Sequence, residues 1–151
     1  MSLQKWLDSG FLRTAKPVAK DIAEKYRIAE RNLRAASLEG QPDDIAFRLA
    51  YEAVVVVAQA LLLADGYRPA TTCSHYYSIE SLEYTLGESR DKLILLQAMV
   101  KKRHISQYEM IDTISPGELK AMLKEARRIQ DLGTAILMAK HPELAEWISK
   151  G

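Results

Sequence analysis

The chain has 151 residues, 48% of them hydrophobic and 27% charged, with 21 lysines and arginines against 20 aspartates and glutamates. That length suits one domain with its own core, and a net charge of +1 excludes a protein drawn to nucleic acid or membrane by a global field. The one cysteine, Cys73, excludes an internal disulfide and favours a reducing, cytoplasmic setting.

Met1 to Arg13 interleaves Lys5, Asp8 and Arg13 with apolar residues, so the uninterrupted apolar stretch of a secretory signal is absent there. Pro17 suits the first turn of a helix, where its missing N–H would be unpaired anyway. From Val18 onward, Ile22, Tyr26, Ala29, Leu33 and Ala36 recur at three- and four-residue steps, as one helical face requires. Gly40 offers the left-handed turn that ends many helices. Pro42, Asp43 and Asp44 restart a helix, the carboxylates complementing its positive end. Ala46, Leu49, Ala50, Ala53, Val54, Val57, Leu61 and Ala64 continue it, and Gly66 closes it. Val54–Val57 could suit a strand by β-propensity, but the helical period runs through them and no convincing partner strand is evident.

Tyr67 to Thr72, with Pro69, reads as a loop, and a shorter helix is predicted over Ser74–Leu86, ended by Gly87. Ser89 caps the next helix, which carries Leu93, Leu96, Met99 and Val100 and continues through Arg103, His104 and Tyr108. Ser115-Pro116-Gly117-Glu118 has the form of a capping box. The last long helix holds Leu119, Met122, Leu123, Ala126, Ile129, Gly133, Ile136 and Leu137, and Pro142 begins a final turn with Leu144 and Trp147.

These elements predict a single all-α domain over residues 1–151, an up-and-down antiparallel bundle of four long helices plus short ones. The apolar run Val54–Ala64 is about half the length a bilayer needs and is broken by Gln59, so no membrane span is expected. Because Val55, Val56, Leu62 and Leu63 lie off its main stripe, that helix is apolar almost all round. It must be covered within one copy or shared with a second subunit, and a homodimer is the expectation.

Several chemistries are excluded by pattern. No glutamate has a histidine three residues later, and His75, His104 and His141 fall in separate segments, so neither a metal nor a cofactor is expected. Phosphate-cradling glycine loops and a glycine-flanked serine nucleophile are absent from the sequence. Lys20, Arg27, Arg31 and Arg34 fall along one side of the first long helix, where they could meet phosphates. A solvated face paired with Asp21, Glu24 and Glu30 has the same pattern.

The remaining cluster is Lys101-Lys102-Arg103-His104-Ile105-Ser106-Gln107-Tyr108-Glu109. Arg103 shares a side with Gln107, and His104 with Tyr108. Arg103 continues the stripe of Leu96 and Val100, so its permanent charge either lines a cleft or snorkels from the bundle end.

With Phe47–Ala53 running into Ala60–Pro69, the following helix from Ser74, and Arg103-His104 late in the next, the chain resembles the HEPN domain family (higher eukaryotes and prokaryotes nucleotide-binding). The resemblance covers roughly residues 15–140 and suggests a small stand-alone bacterial or archaeal member. It implies a helical bundle that dimerises, and either a metal-independent RNase of the toxin type or a partner of a small nucleotidyltransferase. Active members carry an arginine followed by a histidine after four to six residues. Arg103 would take the arginine position and His104 the polar one beside it, but the window after Arg103 holds Tyr108, Glu109 and Met110. Tyrosine is a poor base at neutral pH. The reading is therefore a non-catalytic module that binds RNA, a nucleotide or a partner protein through Arg103, His104, Gln107 and Tyr108, possible in a toxin–antitoxin or nucleotidyltransferase-associated system. Its alternatives are an endoribonuclease using Arg103 and His104, and a purely structural interaction module.

Overall fold

The computed structural model describes residues 2–71, 74–108 and 114–149, and all their side chains except those of residues 100, 102–108 and 149. Cys73, Glu109 and Met110, each weighed above, lie outside the described residues. The helical period is realised as helix along most of the chain. In order the elements are α1 (Leu3–Asp8), β1 (Leu12–Thr14), α2 (Ala19–Ala36), α3 (Asp43–Ala64), β2 (Tyr67–Pro69), α4 (Ser74–Glu80), α5 (Leu82–Thr85), α6 (Arg90–Tyr108), α7 (Pro116–Lys140) and α8 (Leu144–Ser149). The architecture is all-α, with four long helices, α2, α3, α6 and α7.

Several local expectations are met by the chemistry that motivated them. The Val54–Val57 run is helical inside α3. At α7, the Ser115 hydroxyl accepts from the Glu118 N–H at 3.1 Å while the Ser115 N–H donates to the Glu118 carboxylate at 3.0 Å. Ser89 accepts from the Lys92 N–H at 3.3 Å, capping α6.

Others are corrected. Pro17 lies ahead of α2 rather than in its first turn, because Val18 is the extended cap and Ala19 the first helical residue. The segment read as one helix over Ser74–Leu86 is two, α4 and α5, broken at Ser81. Around the break, the Ser78, Ser81 and Thr85 hydroxyls donate to carbonyls three or four residues back, competing with the helical ladder. Part of the Tyr67–Thr72 loop is β2, which pairs antiparallel with β1 in the register Leu12↔Pro69, Arg13↔Arg68, Thr14↔Tyr67. Gly66, at φ 92°, supplies the left-handed turn from α3 into that strand.

The core is organised around α3. It packs against α2, α7, α6 and α4, and its off-stripe residues Val55, Leu62 and Leu63 are all buried. Leu62 meets Trp6 and Leu12 in a second cluster, where Trp6 sits edge-on to Tyr77 at 5.3 Å and to Tyr84 at 5.4 Å. Val56, the fourth off-stripe residue, is only partly buried. By length and composition α3 could cross a membrane, but 67% of its most apolar window is buried inside the fold, as in the core helix of a packed domain.

On the α7 side the approach is close. A Cβ built on Gly133 would stand 3.0 Å from Val57 Cγ1. Polar groups fasten the rest of α7. Tyr26 donates from α2 to the Gln130 carbonyl at 3.2 Å, and burial, with Glu30 and Asp131 nearby, pushes its phenol up to about 12. Arg128 bridges Glu88 and Glu125, and Lys92 reaches Glu125 at 2.8 Å. Burial alone would raise the Glu125 carboxyl, but the hydrogen bonds from Lys92 and Arg128 and their charges outweigh it and hold it below its ordinary range.

Candidate functional site

Where α2 and α3 part beneath the start of α4, a cleft of about 310 Å³ opens. Its walls follow from helical spacing. Ile28 and Asn32 are four apart on α2, and Glu52, Val55, Val56 and Gln59 form one stripe of α3, so each helix presents a single mixed edge. Val55 and Val56 make an apolar floor, while Asn32, Glu52 and Gln59 add hydrogen-bonding groups and His75 enters from α4.

His75 is held by a residue far away in sequence. Its Nδ1 lies 3.0 Å from the hydroxyl of Tyr51, a core residue of α3, and the two rings stand 5.8 Å apart. That contact fixes the imidazole orientation and couples the tautomer to the phenol. If the phenol donates, Nε2 carries the hydrogen and can donate to an anion; if Nδ1 donates, Nε2 is a base. On the far wall the Gln59 amide donates to Ser78 Oγ at 3.3 Å, whose own hydrogen goes to the Ser74 carbonyl at 2.6 Å. The turn carrying His75 is therefore tied to α3 at two points.

Outside the cleft runs the arginine side of α2. Arg31, exposed, donates through Nε and Nη2 to Asn32 Oδ1 at 3.4 and 3.2 Å, and Arg27 is half-buried with Nη1 donating to the Trp147 carbonyl. Ile28 is shared by the cleft and a shallow depression lined by Glu24, Arg27 and Arg31. Arg34 lies in a further recess with Tyr26 and Glu30, and Lys20 is exposed. The stripe expected from sequence is thus split: Arg27 donates to the backbone of Trp147, whereas Arg31 donates to Asn32 of the cleft wall.

The helix backbone of α6 runs through Arg103, His104, Gln107 and Tyr108 to its end, but the side chains of these four lie outside the described residues. Among the described residues no group of three or more histidines, cysteines or carboxylates could hold a metal. A recess of about 280 Å³ over Phe47, between α6 and α7, is lined by Leu95, Ala98, Met99 and Ala121, with Glu118 its one polar wall. It offers little for polar recognition.

Sequence reasoning treated His75 only as a possible metal ligand. A signal was present: Arg68 precedes His75 with six residues between, a spacing within the arginine–histidine window sought after Arg103. Arg68 itself is exposed on β2, opposite Arg13, and does not line the cleft. The Tyr51 contact had no sequence signal, because it joins residues 24 apart through the turn after α3.

Comparison with known proteins yields one match. A family model described as HEPN domain matches residues 22–136, which takes in α2 through most of α7. No curated protein and no solved structure matches the chain.

Proposed function

The chain belongs to the HEPN domain family, and from that premise we propose that it is a recognition module binding RNA or a ribonucleotide in the cleft between α2, α3 and α4. The observation that carries this reading is His75, oriented by Tyr51 at a cleft with an apolar floor and polar walls. The apolar floor suits the face of a base or sugar. Asn32 and Gln59 can read polar edges, and the Glu52 carboxylate accepts from a hydroxyl or amino group. A phosphate is best placed away from Glu52, toward Arg31 and an imidazole that donates. The test is fluorescence anisotropy of short single-stranded RNAs with the full chain. Binding that weakens about tenfold in His75→Ala supports the reading, in line with the loss of a charge-assisted hydrogen bond; RNA and ribonucleotides that fail to bind at all remove it.

Arg103, His104, Gln107 and Tyr108 enter the proposal on the family resemblance alone, as further contacts from the end of α6. Arg103→Ala with unchanged RNA affinity excludes them. A second reading, a metal-independent endoribonuclease, is favoured by an imidazole with an orienting partner, the arrangement a general base requires. It predicts RNA cleavage in the presence of a chelator that is lost in His75→Ala. Intact RNA after prolonged incubation ends that reading and leaves binding alone.

A further inference from the structure

We propose that the recess between α4 and α6 is a base-stacking subsite for single-stranded RNA, with Tyr76 as its platform; this rests on the reading that the chain binds RNA. The recess holds about 460 Å³ and shares its lining between the two helices, Tyr76 on one side and Ile94, Ala98 and Lys101 on the other. Tyr76 is 48% exposed and Ile94 61% exposed, so two large apolar surfaces face solvent across an open gap. Proteins that hold single strands without sequence preference stack unpaired bases on aromatic side chains beside a positively charged groove.

Tyr76 is fixed in place. Its ring stands edge-on to Tyr77 at 5.1 Å and 87°, and its carbonyl accepts from the Gln97 amide of α6 at 3.1 Å. Gln97 also donates to Glu80 Oε2 at 3.2 Å, while Arg90 donates to Glu80 Oε1 at 3.0 Å. Both oxygens of Glu80, the one carboxylate lining the recess, are therefore occupied, and its side chain is only 10% exposed. Arg90, 54% exposed, is paired with Glu80 and lies 3.9 Å from Glu83, so the cation that the lining offers a phosphate is Lys101. That cation favours a phosphate at the rim with its base inside.

The position relative to His75 supplies the second argument. His75 and Tyr76 are consecutive in α4, so their side chains diverge by about 100°. His75 faces the α2–α3 cleft and Tyr76 the recess at α6. A strand crossing the first turn of α4 would leave one nucleotide at His75 and turn the next base onto Tyr76. Only a strand with free base faces can do this; in a duplex those faces are already stacked on one another.

The experiment measures affinity for a labelled single-stranded RNA hexamer and for a duplex of the same sequence, by anisotropy, with the full chain and four variants. Tyr76→Ala is expected to weaken hexamer binding about tenfold, the scale of one lost stacking contact. Lys101→Glu is expected to weaken it several-fold and flatten its salt dependence, and the duplex should bind at least tenfold more weakly than the hexamer. Tyr76→Trp should bind as the natural chain does, with its additional indole emission quenched on adding RNA. Unchanged affinity in both Tyr76→Ala and Lys101→Glu, with the Tyr76→Trp emission unmoved, overturns the subsite. If His75→Ala still weakens binding in that case, the RNA-binding reading stands without it. If the natural chain binds neither RNA, both fall together. Lys101 is exposed, so its variant keeps the test decisive even if Tyr76→Ala unfolds.

Discussion

Toward α7, α3 presents Val57 and Leu61, and the contact is so close that a Cβ on Gly133 would stand only 3.0 Å from Val57 Cγ1. On another side the same helix presents Val55 and Val56 between Glu52 and Gln59, and there the neighbouring elements stand back to leave a cleft of about 310 Å³. The valines are the same kind of residue two positions apart. What differs is the partner: a glycine on α7 lets two backbones close, whereas Asn32, His75 and the flanking polar groups hold a gap open. Apolarity along a helix therefore does not separate a packed seam from the floor of a binding site; the facing side chains decide.

If the seam carries stability and the cleft carries recognition, perturbing one should leave the other's readout alone. The largest effect is expected from Leu61→Ala, a buried seam residue, which should cost about 3 kcal/mol in denaturant unfolding. RNA affinity measured well below the unfolding midpoint should not change, and a parallel loss of affinity would break the distinction. Gly133→Leu should cost about 2 kcal/mol, because overpacking forces α3 and α7 apart; a neutral outcome would show that the seam has slack.

A smaller effect is expected from acid. The folded Glu125 carboxyl is held below its ordinary value of 4.5, so its contribution is present above that pH and is lost as pH falls through the folded value. Melting temperature should therefore drop more steeply below about pH 4.5 in the natural chain than in Glu125→Gln. Equal slopes would mean that the Lys92 and Arg128 contacts add nothing at the α6–α7 junction. The smallest effect is expected from Arg31→Ala, a few-fold loss of RNA affinity with the salt slope reduced by about one, and no shift in melting temperature. A stability loss there would mean that the Arg31–Asn32 contact belongs to the frame instead.

What was legible in sequence follows the range of the forces involved. The Ser115–Glu118 box, the Ser89 cap and the helical reading of Val54–Val57 depend on neighbours within a turn or two, and all are realised. Features that depend on distant partners were not legible. β1 and β2 are three residues each, too short for an alternation pattern, and exist because Gly66 turns the chain back beside Leu12–Thr14. α1 is a helix of six residues whose Trp6 is buried by distant residues, Leu12, Leu62, Tyr77 and Tyr84. The family resemblance was carried by Phe47–Ala53 running into Ala60–Pro69, the helix from Ser74 and Arg103-His104, and the family match spans residues 22–136. The cleft within it was missed because Tyr51, Asn32 and His75 come from three helices, and no spacing rule joins them.

The strand pair sets an order in time. β1 cannot find its partner until Tyr67–Pro69 has been made, about fifty residues later, which at roughly 5–20 residues per second is a wait on the order of several seconds during synthesis. Through that interval Trp6, Phe11 and Leu12 have no Leu62 to cover and no β2 to join. The N-terminal arm thus behaves as a latch, closing over the α2–α3 hairpin only after both helices exist. Whatever holds that arm back while the chain is made, a bulky fusion or a chaperone, would delay the closing of the fold rather than its beginning.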